Sequence, residues 1–84
     1  MRYGLTQAEA ATAMEALAKK MDGAVVSTET DSNGALYVVA EHEDQHEEFT
    51  SLTICQEAGV VAVLDTGGEP LVEADGLAEA LARA

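Results

Sequence analysis

The sequence predicts one α+β domain over residues 1–84, with a helix at each end of the chain covering one face of a four-stranded antiparallel sheet. Three observations support this fold class. A capping signal and an apolar stripe at helical spacing open the chain, β-prone segments with short connections occupy its middle, and a second amphipathic segment closes it. Three successive short connections favour an antiparallel meander. The expected order is therefore α-β-β-β-β-α.

The first helix has recognisable start and stop signals. Thr6 and Glu9 stand in the T-x-x-E relation of a capping box, in which each residue satisfies a free backbone donor. Lys19 and Lys20 lie where cations complement the helix dipole, and Gly23 suits a left-handed cap after the last turn. The residues between them repeat at helical spacing, so the helix should bury one apolar stripe. This stripe consists of Ala10, Ala13, Met14, Leu17, Ala18 and Met21.

The middle of the chain reads as strands separated by turns. After Gly23 the helical period is lost and β-branched residues become frequent. Asn33-Gly34 between two such segments is a strong hairpin signal. A polar stretch over residues 43–48 and a tight turn at Glu57-Ala58-Gly59 provide the next two reversals. The four expected strands are residues 24–30, 35–42, 49–56 and 60–65.

The C-terminal segment allows two interpretations. A helix could begin at Pro70 and continue to Arg83, since proline is favoured in a first helical turn. Alternatively, residues 71–74 form a short extended piece and Asp75 caps a helix that begins at Gly76. Glycine inside a helix costs about 1 kcal/mol relative to alanine, which favours the second interpretation. In both cases the chain closes with an amphipathic helix.

The charge balance restricts the possible partners. Four Lys and Arg residues face sixteen Asp and Glu residues, for a net charge of −12. Direct binding to DNA, RNA or an anionic membrane is not expected, because a phosphate surface requires cations. A basic protein or nucleoprotein surface is the electrostatically natural partner. The densest acidic stretch supplies the expected partner-binding residues, although it could also be only a solvated turn. These residues are Glu41, Glu43, Asp44, Glu47 and Glu48.

One short motif suggests metal chemistry. His42, Glu43 and His46 form H-E-x-x-H, which on a helix places two zinc ligands and a general base on one face. Here the motif follows a strand-like segment, and Asp44 stands between the histidines. An accidental match in a polar turn therefore explains the pattern more simply than a small zinc hydrolase does. We expect no metal, no cofactor and no catalytic residue.

The cysteine content and hydropathy bear on the compartment. Cys55 is the only cysteine, so an internal disulfide is impossible, as is typical of a reducing compartment. It lies in the middle of an expected strand, where a buried, small apolar role is a simpler interpretation than a nucleophile. The longest apolar segment, residues 58–64, is far shorter than the roughly 20 residues that span a bilayer. We expect a cytoplasmic protein, in the producing cell or in a host cell.

In its size, its acidity and its lack of a catalytic motif, the chain resembles small phage-encoded inhibitors of bacterial defence, including anti-CRISPR proteins. The resemblance implies a non-enzymatic inhibitor that mimics nucleic-acid charge and blocks a basic groove of a nucleoprotein effector. It specifies no residues. The alternative is an accessory or assembly protein that acts through the open sheet face around Tyr37 and Val39, or as a homodimer. The expected oligomeric state is therefore a monomer or a homodimer.

Overall fold

The computed structural model describes residues 4–21, 23–43 and 49–83, and over these residues the chain is α+β, as the sequence predicts. Helices stand at both ends and strands fill the middle. The elements are α1 (Gln7–Lys20), β1 (Val25–Thr30), β2 (Leu36–Glu43), β3 (Phe49–Glu57), β4 (Val60–Leu64), β5 (Pro70–Ala74) and α2 (Leu77–Arg83).

The sheet has five strands, so the expectation of four is wrong. All neighbours pair antiparallel in the order β1-β2-β3-β4-β5, and this is the predicted meander extended by one strand. The additional strand forms because the chain reverses after β4. The Asp65 carboxylate accepts hydrogen bonds from the amides of Gly67 and Glu69, at 2.9 and 3.0 Å, and thereby closes the turn.

The C-terminal segment follows the second interpretation, an extended piece and then a short helix. Residues 70–74 pair with β4, and α2 begins at Leu77. The amide of Ala80 donates to the carbonyl of Gly76, which places Gly76 at the N-cap position. The expected cap, Asp75, therefore lies one residue before the cap. At the cap Gly76 costs less than it would inside the helix.

Both signals predicted for α1 are present. The Glu9 amide donates to Thr6 Oγ1 at 3.1 Å, and the Thr6 amide donates to Glu9 Oε1 at 3.0 Å, so the capping box is complete. Met21 ends the helix with a bond to the Leu17 carbonyl. Gly23 follows at φ +84°, a conformation that glycine adopts without the steric cost of a Cβ.

The β1–β2 hairpin is closed by a side chain. Asp31 Oδ1 accepts from the amides of Asn33 and Ala35, at 2.8 and 3.0 Å. Gly34 takes φ +82° and donates to the Asp31 carbonyl. The aspartate thus satisfies the turn's free donors and fixes the register of the first two strands.

Both helices lie on one face of the sheet, as expected. α1 packs against β1 and β2, α2 packs against β4 and β5, and the two helices touch. Alternate residues of the strands point at the helices, and with the helix stripes they form one core. The prediction is wrong for Ala18, which is exposed because it lies about 100° around the helix from Leu17. The buried apolar residues are Leu5, Ala10, Ala13, Leu17, Val38, Ala40, Leu52, Ile54, Val61, Val63, Val72, Ala74, Leu77 and Ala80.

Candidate protein-binding face

No element of the described chain covers the sheet face opposite the helices, which we call the open face. The strand residues that alternate with the core residues point to this side. Its centre carries apolar and small polar side chains that are half-buried by their neighbours within the sheet. These central residues are Tyr37, Val39, Thr53, Cys55, Ala62 and Leu64.

Among the side chains that the structure describes, four carboxylates border the open face. Glu29 lies on the edge strand β1, Glu41 on β2, Glu57 at the end of β3 and Glu73 on the other edge strand, β5. All four are exposed. The Lys and Arg residues of the described ranges are instead confined to α1 and α2. This carboxylate rim therefore gives the open face a negative field. Arg83 comes close to it at one edge, where its Nη1 atom donates to the Glu73 carbonyl at 3.2 Å.

The margin of the open face also exposes large apolar side chains. Val25 on β1 is 72% exposed, Val60 on β4 is 39% exposed and Leu71 on β5 is 58% exposed. Each precedes a residue that points into the core, so each points away from the helices. Apolar surface bordered by polar residues is typical of a protein interaction site.

A hydrogen bond holds the aromatic ring of the open face in place. Tyr37 Oη donates to Glu29 Oε2 at 3.1 Å, between directly paired residues of β1 and β2. This bond is the main reason that the pKa of Tyr37 is raised, because ionisation would remove the donated proton. The hydroxyl stays protonated near neutral pH, and the ring keeps its position beside the acidic rim.

Cys55 lies on the open face rather than in the core. Burial among its neighbours raises the pKa of the thiol, and the charge of Glu57 raises it further. Both causes disfavour the thiolate, which is the reactive form. The environment of this half-buried thiol is thus opposite to the one that activates a nucleophilic cysteine.

The predicted acidic stretch meets this face at Glu41. That residue is exposed and pairs with Val25 on β1 and Ser51 on β3. The backbone of Glu43 belongs to β2. The Glu43 side chain, and all of Asp44, Glu47 and Glu48, lie outside the described residues. Their role as partner-binding residues stays a prediction.

The zinc motif does not begin on a helix. His42 and the backbone of Glu43 belong to the extended strand β2. His42 is half-buried on the helix side, where its Nε2 atom lies 3.7 Å from the position that a Cβ on Gly23 would take. His46 lies outside the described residues. Over residues 4–21, 23–43 and 49–83, no three His, Cys, Asp or Glu side chains group into a metal site.

No family model matches the chain, and searches of curated proteins and of solved structures found no significant similarity. Within the described part of the chain, neither helix has the length and apolar character that a membrane span requires.

Proposed function

We propose that this chain is a non-enzymatic acidic binding protein whose open face docks on a basic protein surface. The observation that carries the proposal is the arrangement of that face, an apolar centre bordered by Glu29, Glu41, Glu57 and Glu73 in a chain of net charge −12. Apolar contact provides affinity at the centre, and the rim selects partners with complementary charge.

A surface that normally holds nucleic acid is the best match for this arrangement. Such surfaces carry clustered Lys and Arg residues that neutralise phosphates. The rim presents repeated negative charges to those residues. In the sequence, Glu41 is followed by four further carboxylates, those of Glu43, Asp44, Glu47 and Glu48. The chain would then act as an inhibitor that competes with nucleic acid, as phage-encoded anti-CRISPR inhibitors do.

A homodimer through the same face is the second candidate, because Val25 and Leu71 are exposed at its margin. A symmetric pair would, however, bring two acidic rims together. Like charges that face each other across an interface cost several kcal/mol, so a basic partner fits better. Sedimentation at low and high salt separates the two. The proposal expects a monomer at both salt concentrations.

The experiment compares charge reversal on the two sides of the molecule. Partners are captured from lysate by the wild type, and their affinities are measured at low and high salt. Glu41→Lys/Glu73→Lys should weaken binding about tenfold or more, because it reverses two rim charges. Glu15→Lys/Glu79→Lys changes the net charge equally, but on the helix side. It should have a much smaller effect.

The acidic stretch is tested separately by Glu43→Lys/Asp44→Lys/Glu47→Lys. This variant should also weaken binding, and circular dichroism should show that its fold is intact. Nucleic acid that binds the captured partner should compete with the wild-type chain, and added salt should weaken the complex by screening. Equal affinities for all variants, without salt dependence, would refute the charge-mimic proposal.

A further inference from the structure

One edge of the sheet carries backbone groups that point away from the other strands. β1 pairs with β2 alone among the described strands. At their turn the Asp31 amide donates to the Ala35 carbonyl, and this bond fixes which pairs along the two strands exchange hydrogen bonds. Counting back from it, every second residue of β1 directs its N–H and C=O groups outward. These residues are Val26, Thr28 and Thr30.

The outward groups of β1 are unpaired within the described part of the chain. The N–H and C=O groups of Val26, Thr28 and Thr30 make no hydrogen bond with any other described residue. β1 contains neither proline nor lysine, and its pairing with β2 has no bulge, although proteins commonly use these devices to protect an edge strand. The outer side of β1 therefore has the geometry that accepts a further strand.

The opposite edge of the sheet is protected. β5 begins at Pro70, which has no N–H group. The backbone carbonyl of Glu73 accepts a hydrogen bond from Arg83 Nη1 at 3.2 Å, so a side chain of α2 occupies this edge. The pairing of β5 with β4 is also irregular at Leu64. Because these features hinder the addition of a strand, β1 is the edge that is open to a partner.

The side chains of β1 on the open face indicate which kind of segment fits this edge. Val25 is 72% exposed, and Glu29 lies four residues further along the strand on the same face. Tyr37 Oη donates to Glu29 Oε2, which holds this carboxylate beside the edge. An apolar residue opposite Val25 and a basic residue opposite Glu29 would complement both side chains. Since Glu29 belongs to the carboxylate rim, an added strand would extend the proposed docking surface.

We propose that β1 binds an extended segment of the basic partner as a sixth, antiparallel strand, an inference that rests on the proposed function. Main-chain hydrogen bonds provide the affinity in such strand addition, and alternate side chains provide the selectivity. The segment carries a basic and an apolar residue four positions apart, with β-prone residues between them. A second copy of this chain fits less well, because pairing two β1 strands would join two chains of net charge −12.

The test is amide hydrogen exchange of the isotope-labelled chain followed by NMR. The probe is the synthetic hexapeptide acetyl-Thr-Arg-Thr-Thr-Thr-Val-amide, whose arginine and valine would lie opposite Glu29 and Val25 in an antiparallel pair. At saturation the peptide should slow exchange about tenfold or more at the three outward amides, those of Val26, Thr28 and Thr30. The inward amides of β1 already bond to β2 and serve as internal references.

One variant tests the backbone of this edge directly. Thr28→Pro removes an outward N–H group but no bond to β2, so the fold should persist, and circular dichroism checks this. It should weaken binding of the arginine peptide about tenfold or more. Thr28→Val is the matched control, since it keeps the N–H group and should bind as the wild type does.

Two control peptides need no variant of the protein. Replacing the arginine with glutamate should weaken binding about tenfold or more, because the peptide charge is reversed. N-methyl groups on the third and fifth residues, whose amides would face β1, keep the charge but prevent pairing. The N-methylated peptide should therefore leave the exchange of the outward amides unchanged.

Three results would overturn the inference. The first is unchanged exchange of the outward amides up to the solubility of the arginine peptide. The second is equal protection by the N-methylated peptide, which would mean that charge alone drives binding. The third is protection that grows with protein concentration when no peptide is present, which would identify a second copy of the chain as the occupant.

The two proposals fail in distinguishable ways. If the basic partner binds and the rim variant Glu41→Lys/Glu73→Lys weakens it, but the arginine peptide does not protect β1, the docking face stands and the added strand is wrong. If the arginine peptide pairs with β1 but no basic partner depends on the rim, the edge binds extended segments and the proposed function is wrong.

Discussion

Replacing Gln56 with methionine should stabilise the protein, although the change removes a polar side chain from a β-strand of the sheet. Gln56 belongs to β3, is 7% exposed and has an unpaired Oε1 atom. Leaving a buried acceptor unsatisfied costs about 1–3 kcal/mol of desolvation. Methionine has a similar unbranched shape and a flexible thioether that fills irregular space, so it should relieve this cost without opening a cavity.

The expected gain, about 1 kcal/mol or more, is measurable in a domain of this size. One kcal/mol shifts the Tm of a domain of 60–100 residues by roughly 4–8 °C. Thermal unfolding followed by circular dichroism, together with urea titration, gives the Tm and the free energy of unfolding. The m-value should stay unchanged, because the surface exposed on unfolding is nearly the same.

Gln7→Met provides the matched control for this measurement. Gln7 is an exposed residue in the first turn of α1, so the same chemical change should alter the free energy of unfolding by less than about 0.5 kcal/mol. If Gln56→Met leaves the Tm unchanged or lowers it, Gln56 is hydrogen-bonded in solution. In that case the reasoning that Gln56 Oε1 is an unpaired buried acceptor is wrong.

The other predictions concern the fold and the thiol. Thr6→Ala should lower the free energy of unfolding by about 1 kcal/mol, because the N-cap is lost. Leu17→Ala should lower it by about 2–5 kcal/mol, because a cavity forms in the core. An unchanged Tm for Leu17→Ala would mean that α1 does not pack on the sheet as described. Ala58→Gly should raise the free energy of unfolding by about 1 kcal/mol, because Ala58 takes φ +52° in the β3–β4 turn. If urea unfolding shows a lower free energy for the variant, the backbone at Ala58 is not strained. Cys55 should react with iodoacetamide more slowly at pH 8 than a free cysteine does, because its raised pKa lowers the thiolate fraction. Glu57→Gln should accelerate the reaction. A rate equal to that of free cysteine would contradict this prediction.

Most of the fold could be predicted from the sequence, because the local signals agree with the tertiary structure. The capping box at Thr6 and Glu9 and the turn at Asn33-Gly34 set the ends of elements through hydrogen bonds between near neighbours. The sequence predicts an extended piece over residues 71–74 but not its pairing with β4 as a fifth strand, although a signal for the connecting turn exists. Asp65 stands three residues before Gly68, as Asp31 stands before Gly34, and both turns close with the same pattern of bonds.

The candidate site was predictable only in part. The open face around Tyr37 and Val39 follows from strand alternation once the helices are placed on one side. The rim was missed because Glu29, Glu57 and Glu73 are far apart in sequence and meet only through the pairing of five strands. A cavity of about 420 Å³ beside the β1–β2 turn could not be predicted, since its wall combines that turn with the end of β3, which is distant in sequence.

The size of the open face limits what kind of complex it can form. Five strands span about 19 Å across the sheet, and strands of this length extend about 23 Å, so the flat area is roughly 400 Å². A stable interface covers about 800 Å² on each partner. The sheet alone therefore supports only a weak or transient complex. Glu41 is followed in the sequence by the acidic residues Glu43, Asp44, Glu47 and Glu48. A tight inhibitor would need additional contacts of this kind, and the charge reversals Glu43→Lys/Asp44→Lys/Glu47→Lys test whether these residues supply them.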